Sequence, residues 1–324
     1  MKNRILFIKS LGAILLITGL FSLFAVPAEF TSFYAFLEGG SYQYEGFGFG
    51  SLMFAFISFN VMFYFSLASF CIPAGIGNLK LKKWGYVLSL AFLKTLLILG
   101  ITIAGSMLFS LNNFPGESVY QLITLLVVCS VLLIILPYYL IRFYKDKKTK
   151  QNFNSNSVYF FEQHSPDSLT IILLNFFWIF VFCLFMFFKG AFPLWGRFIF
   201  KTNGTYLLSI AIFTLLILNY LFYFKYKYVD LGILFYCIML FFTFAITFFK
   251  NSTAEFLNLL ELPVYEIENV LPAFIFPVKI NLGFFFSILI FIQIFQIYLI
   301  RIEIRKKRNI GNKGVMSSHL TFKL

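Results

Sequence analysis

Charged residues are scarce in this sequence. They make up 12% of its 324 residues, whereas 60% of the residues are hydrophobic. A soluble domain carries about 25% charged residues, and no soluble shape of this length could bury so much apolar side chain. The composition therefore excludes a soluble globular protein and predicts that lipid surrounds most of the chain.

Metal-ligating residues and catalytic motifs are also scarce. The two histidines, His164 and His319, lie in polar segments, and each of the four cysteines lies within an apolar run without metal-ligand spacing. This excludes an HExxH-type site and predicts free thiols packed as small hydrophobic groups. Phosphate-binding loops, GxSxG and Rossmann glycines are missing too, so we expect neither a metal nor a cofactor.

Acidic residues are few relative to basic ones, with 13 Asp and Glu against 26 Lys and Arg. The basic residues lie between the apolar runs, which is where membrane topology places them. We therefore expect anionic lipid head groups, and not nucleic acid, as the partner of this excess positive charge.

Long apolar runs are what the sequence has in abundance. Eight of them reach the length of about 20 helical residues that a bilayer requires, and they lack the apolar–polar alternation of barrel strands. The sequence therefore predicts an all-α, polytopic transmembrane helix bundle of about eight spans. The runs lie at 5–26, 51–75, 84–109, 119–141, 170–189, 205–223, 229–249 and 283–300.

The distribution of basic residues predicts the orientation. With both termini in the cytoplasm, 20 of the 26 Lys and Arg residues lie in inner segments, 5 lie in outer segments and Lys94 lies within a span. This asymmetry favours a multi-pass protein of the cell membrane with cytoplasmic N- and C-termini. The first run followed by Val26-Pro27-Ala28 also resembles a cleavable signal peptide, an alternative that leaves seven spans in the same orientation.

The two halves of the chain share short motifs. A basic turn with Lys80 and Lys82 joins the second and third runs, and one with Lys225 and Lys227 joins the sixth and seventh. The last run of each half ends on YLIR, at 139–142 and 298–301. We interpret these matches as a tandem 4+4 parallel repeat, with convergence of basic turns as the alternative.

This repeat predicts the organisation of the chain. The first four-span half is 1–142 and the second is 170–301. A polar, cytoplasmic linker joins them at 143–169, and a basic cytoplasmic tail follows at 302–324.

Lys94 lies well inside the third run. Counted from Trp84 it is about 15 Å deep, near the middle of the hydrocarbon. No acidic residue lies well inside any run, so the sequence predicts no buried ion pair for it. One interpretation is a lysine whose side chain extends towards the cytoplasm.

A second interpretation places Lys94 at the floor of a polar pocket that opens to the cytoplasm and binds an anion. Other polar residues lie at similar or shallower depth on the cytoplasmic side, whereas Asn60 is nearer mid-depth. The alternative is that their hydrogen bonds hold the helices together. The predicted pocket residues are Lys94, Ser66, Ser69, Asn175, Asn219, Gln293 and Gln296.

Three functions stay open from the sequence. The first choice is a non-catalytic subunit or scaffold of a membrane assembly, with a membrane protein or a second copy as partner. The second is a small transporter with the pocket around Lys94. The third is a membrane transferase that uses Glu29, Glu38 and Glu45 of the first outer loop.

The outer segment 250–282 carries one local signal. Ser252 followed by Glu255 fits a capping box, and the apolar spacing after it predicts a short interfacial helix.

Overall fold

The computed structural model describes residues 2–37, 40, 47–114, 117–153, 164–226, 228–262, 264, 266, 268 and 280–320. Eight helices in this part of the chain are long and apolar enough to cross a membrane, which confirms the predicted all-α polytopic bundle. We number them spans 1 to 8: Asn3–Phe36, Leu52–Leu79, Lys83–Phe109, Val119–Lys145, Pro166–Phe187, Lys201–Tyr223, Val229–Lys250 and Leu282–Ile302.

Shorter elements connect the spans. The helix of span 1 begins at Lys2, and that of span 8 continues to Leu320. A 3₁₀ turn follows span 3, and short helices follow spans 4 and 7: Leu111–Asn113, Lys147–Lys150 and Thr253–Leu259. Between spans 5 and 6, strands β1 (Phe192–Leu194) and β2 (Arg197–Ile199) pair antiparallel, with Pro193 opposite Phe198.

Span 1 is longer than the sequence predicts. Its helix continues ten residues past the predicted end and includes Pro27 and Glu29. The expectation that Glu29 lies in an outer loop is therefore wrong. A proline costs one backbone hydrogen bond, and flanking apolar turns keep the helix continuous around it. Glu38 and Glu45 lie outside the described residues.

Spans 4 and 7 each contain a π-helical segment, Ser130–Ile135 and Phe241–Ala245. In span 4 this segment ends just before Pro137, whose ring lacks an N–H and would crowd the carbonyl four residues earlier. Widening the preceding turn relieves that crowding. In span 7, the Thr243 hydroxyl donates to the carbonyls of Met239 and Leu240.

The first four spans pack through glycine. A Cβ atom on Gly77 of span 2 would lie 2.4 Å from Gly85 Cα of span 3, and one on Gly75 would lie 2.7 Å from a backbone nitrogen of span 1. A Cβ on Gly100 would lie 2.6 Å from the Leu133 carbonyl of span 4. The backbones approach this closely because these positions carry no side chain.

The last four spans pack through aromatic rings. Trp178, Phe182 and Phe244 are fully buried. The Trp178 ring lies 5.5 Å from the rings of both Phe244 and Phe286, measured between centroids. The Phe244 ring meets Trp178 edge to face and the Phe286 ring is stacked on it. Such rings each bury a large apolar area, and they belong to the main core of the bundle.

One end of the bundle, which we call the hairpin end, carries β1 and β2 with Thr253–Leu259. The predicted capping box is confirmed: Glu255 N–H donates to Ser252 Oγ at 3.1 Å, and Ser252 N–H donates to a Glu255 oxygen at 2.6 Å. Asn251 ties this helix to the hairpin by donating to the Gly196 carbonyl at 3.1 Å.

We call the opposite end, which holds the turn 80–82, the segment 142–150 and Arg301, the basic end. Arg4 forms an ion pair there with Asp146, and this contact, with the Lys148 backbone, lowers the pKa of Asp146. His164 is buried with its ring 4.4 Å from that of Tyr223. Burial, together with the charge of Lys225, lowers the pKa of His164.

Candidate functional site: the polar interior between spans 3, 5, 6 and 8

Lys94 forms an ion pair with Asp167. Its side chain is only 14% exposed, whereas that of Asp167 is 47% exposed. The ammonium group therefore extends from a buried position towards the basic end, as a snorkelling lysine does. The sequence predicts no buried ion pair for Lys94, and this partner lies outside the predicted apolar run with its side chain half exposed.

The start of span 5 explains this partner. Its helix begins at Pro166, four residues before the apolar run, so Asp167 belongs to the first turn and not to the linker. Ser165 caps the helix by accepting from Ser168 N–H at 3.2 Å. A carboxylate in the first turn is favoured by the helix dipole, and the cap at Ser165 followed by Pro166 was the sequence signal for this boundary.

Close packing of spans 3 and 5 brings the pair together. Ala91, one turn before Lys94, is fully buried. The Thr170 hydroxyl lies 3.5 Å from the Ala91 carbonyl and donates to the Pro166 carbonyl at 2.8 Å. A small residue on span 3 thus lets the two helices approach at the level of Asp167.

About 12 Å further into the bundle, eight residues along span 5, lies a buried amide network. Asn175 donates from Nδ2 to Asn219 Oδ1 at 2.8 Å and accepts from Gln293 Nε2 at 2.7 Å. Trp178 Nε1 donates to Gln293 Oε1 at 3.0 Å. The four side chains are at most 6% exposed, so these hydrogen bonds link spans 5, 6 and 8 within the apolar core.

The network brings three of the predicted pocket residues together: Asn175, Asn219 and Gln293. Trp178 is a fourth member that sequence reasoning missed, because a tryptophan in an apolar run gives no signal of a polar role. One donor, Asn219 Nδ2, is buried without a partner. The remaining amide groups satisfy each other, as interhelical hydrogen bonds do.

The other predicted pocket residues lie elsewhere. Ser69 is exposed on span 2 and donates to the Phe65 carbonyl at 2.8 Å, and Ser66 is half-buried on the same span. Gln296 lies on span 8 with its Oε1 buried and without a partner. The predicted mid-depth residue Asn60 donates to Glu29 Oε1 of span 1 at 3.2 Å.

A second polar cluster lies between spans 2, 3 and 4 near the basic end. Asn78 donates to Ser89 at 2.8 Å, and both side chains are buried. The Tyr144 hydroxyl lies beside them, although its contacts lack the geometry of a full hydrogen bond. The cluster adjoins the contact between Gly77 and Gly85, where the backbones of spans 2 and 3 approach closely.

At the hairpin end, Glu266 is fully buried. Its two carboxylate oxygens accept from Leu52 N–H at 2.7 Å and Met53 N–H at 2.9 Å. These are free donors at the N-terminus of span 2, and the helix dipole favours the negative charge. Sequence reasoning missed this residue, because 214 positions separate it from Leu52 and only the tertiary structure brings them together.

The chemistry available to the polar interior is limited. Amides donate and accept hydrogen bonds but do not titrate near neutral pH. Among the described residues, no three His, Cys, Asp or Glu side chains are placed to hold a metal ion. Comparisons with protein-family models, curated proteins and solved structures found no match to this chain.

Proposed function

We propose that the protein is a non-catalytic subunit or scaffold of a membrane assembly. The observation that carries this proposal is the use of the buried polar groups. The amides of Asn175, Asn219 and Gln293 bond one another, and Lys94 is neutralised by Asp167. Polar groups that bond one another in this way hold helices in place. Few of them stay available to bind or react with a substrate.

We propose span 4 as the surface that contacts the partner, which is another membrane protein. Only 6% of its most apolar stretch is buried, compared with 61% for span 3. Val127, Val128, Val131 and Leu132 of span 4 are all exposed. The β-branched valines among them are stiff at χ1, so another transmembrane helix can pack against them at low entropic cost.

Photo-crosslinking tests this role. A photoreactive side chain would be placed at Val128 of span 4 and, as a matched control, at Phe213 of span 6, since both are exposed. We expect a crosslinked membrane protein from Val128 only. Equal yields from both positions, or lipid adducts alone from Val128, would contradict the proposal.

We also propose that the basic end faces the cytoplasm at the cell membrane, where it meets anionic lipid head groups. The sequence pattern assigns 20 of the 26 Lys and Arg residues to inner segments, and such residues accumulate in cytoplasmic segments. Tags fused to both tails should be inaccessible from outside intact cells. Access to either tail would contradict this orientation.

The tandem repeat stays a proposal. Its support is that Tyr139–Arg142 and Tyr298–Arg301 end the last span of each half. The halves 1–142 and 170–301, the linker 143–169 and the tail 302–324 follow from it.

A transporter is the second candidate function. The observation in its favour is that Asn219 Nδ2, Gln296 Oε1 and Ser287 Oγ are buried without hydrogen-bond partners. Such groups can bond a small solute. In this role Lys94 would exchange Asp167 for an anion from the basic end.

An outer-face transferase is the third candidate. Glu29 argues against it, because its carboxylate accepts from Asn60 within the packed part of spans 1 and 2.

A further inference from the structure

A groove of about 250 Å³ lies on the lateral surface of the bundle, between spans 7 and 8. Its walls are Leu234 of span 7 and a stripe on span 8 that includes Phe291, Phe295 and Tyr298. These three aromatic side chains are 54–73% exposed, so in a membrane they face the hydrocarbon. The groove is apolar along its length and ends at Asp230 and Arg301.

The length of the groove matches one leaflet. Phe291 and Arg301 are ten residues apart, which is about 15 Å along a helix. The hydrocarbon core of a bilayer is about 30 Å thick. With Arg301 at the membrane interface, the groove would extend to the bilayer centre, which is the depth that one lipid acyl chain occupies.

The polar end of the groove carries both signs of charge. Arg301 Nε lies 3.4 Å from Asp230 Oδ2, and the two side chains are 30% and 23% exposed. A guanidinium has five N–H donors, so this one contact leaves Arg301 free to bond a phosphate. The Asp230 carboxylate repels a second negative charge and accepts hydrogen bonds from an ammonium group.

We propose that this groove binds a phospholipid with an ethanolamine head group. One acyl chain lies against Leu234, Phe291 and Phe295, the phosphate bonds to Arg301, and the primary ammonium donates to Asp230. A choline head group has no N–H to donate, and a glycerol head group has no positive charge for Asp230. The site therefore selects ethanolamine over both, whatever the function of the protein.

The first half of the chain provides an internal control. Its last span ends on the same four residues, with Tyr139 and Arg142 at the positions of Tyr298 and Arg301. Arg142 is exposed, and no carboxylate within the described residues forms an ion pair with it. A lone arginine recruits anionic lipid without selecting an ammonium group.

Lipid retention measured by native mass spectrometry tests the proposal. The full-length protein would be incubated with an equimolar mixture of phosphatidylethanolamine, phosphatidylcholine and phosphatidylglycerol of the same acyl chains. We expect one phosphatidylethanolamine to be retained in preference to the other two. Arg301→Gln should lower that retention about tenfold, the loss expected for a charge-assisted hydrogen bond, and Arg142→Gln should not change it.

Two further variants distinguish the head-group contact from the acyl-chain contact. Asp230→Asn keeps the phosphate contact but removes the ammonium partner, so the preference should move towards phosphatidylglycerol. Leu234→Trp narrows the groove and should lower retention of all three lipids while leaving the ion pair intact. This variant tests the proposal even if an ion-pair variant does not fold. Monodispersity and thermal melting would check the fold of each variant.

Three outcomes would overturn the proposal. The first is equal retention of phosphatidylethanolamine and phosphatidylcholine by the wild-type protein. The second is unchanged selectivity in both Arg301→Gln and Asp230→Asn. The third is a second copy of the chain, and not a lipid, in the bound mass.

Discussion

The first four spans pack through glycine, whereas the last four pack through aromatic rings. Gly77 and Gly85 let two backbones approach closely, whereas the rings of Trp178 and Phe244 pack edge to face between the spans of the second half. Lipid tails are as apolar as leucine, so burial from water drives neither arrangement. Both gain dispersion contacts, by close backbone approach in one half and by large, rigid side chains in the other.

This difference bears on the proposed repeat. The last spans of the two halves share YLIR, yet their burial differs. In span 4, 6% of the most apolar stretch is buried, compared with 39% of the most apolar stretch of span 8. The π-helical segments lie in spans 4 and 7, which are not equivalent in a 4+4 repeat. If the halves share an origin, they have kept the basic span ends, which set topology, and changed the interfaces.

The largest effect is expected in the glycine-packed half. Gly77→Leu places a side chain where a Cβ atom alone would lie 2.4 Å from the Gly85 backbone. Overpacking costs about 1–3 kcal/mol where a core can adjust. Here two backbones must separate, so we expect loss of the fold and, with it, of the monodisperse protein in size-exclusion chromatography. Gly48→Leu is the control, because nothing lies within 4 Å of a Cβ there. Equal behaviour of the two variants would refute glycine packing.

The aromatic half should be the next most sensitive. Trp178→Ala removes a fully buried ring and the donor to Gln293, and we expect a loss of about 3–5 kcal/mol in the free energy of unfolding. Unfolding in mixed micelles measures this loss. Trp195→Ala, at a site 67% exposed, should change stability little. A small loss for Trp178→Ala would mean that the core repacks easily.

The amide network should contribute less. Gln293→Leu breaks two hydrogen bonds and leaves Trp178 Nε1 and Asn175 Oδ1 unpaired, which we expect to cost about 1–2 kcal/mol. The double variant with Asn175→Leu should cost less than the sum of the single variants, because the two residues share a bond. Gln296→Leu is the matched control, since its buried Oε1 has no partner to lose. Additive costs would show that the network is not coupled.

A smaller effect is expected at Lys94. Lys94→Met and Asp167→Asn should each change the free energy of unfolding by less than about 1 kcal/mol, because the acid is 47% exposed. The proposed scaffold role predicts that the Val128 crosslink persists in both variants. Loss of a cellular phenotype with the fold and the crosslink intact would favour the transporter.

The pH response tests the basic end. The pKa of His164 is lowered in the folded protein. The contribution of the neutral, buried ring to the free energy of unfolding is therefore fully present above the unfolded pKa of about 6.5. This contribution should be lost as the pH falls below that value and through the folded pKa, because the unfolded chain takes up a proton more readily than the buried ring does. Melting temperatures between pH 8 and pH 5 measure this loss, and His164→Gln should reduce it. An identical pH profile in the variant would contradict the burial argument.

The sequence predicted spans 3 and 7 to within one or two residues, because length and hydropathy define a crossing. It also predicted the capping box at Ser252, whose two partners are three residues apart. It missed the continuation of span 1 through Pro27 and the hairpin at 192–199, because neither follows from apolar run length.

The candidate site, too, was only partly predictable from the sequence. The polar residues Asn175, Asn219 and Gln293 were identifiable as exceptions within apolar runs, but their mutual bonding was not. The pairing of Lys94 with Asp167 was missed because the first turn of span 5 is polar, so its residues were assigned to the linker 143–169.

The amino-acid sequence alone is enough to predict a multi-pass membrane protein with eight helices long and apolar enough to cross a bilayer, because transfer free energies of side chains add along a helix. Which polar groups meet, such as Glu266 with the N-terminus of span 2 and Gln293 with Trp178, depends on how the spans pack and is seen only in the folded structure. Within a bilayer, hydropathy sets the depth of a residue, but its rotation about the helix axis is set by the packing of neighbouring spans.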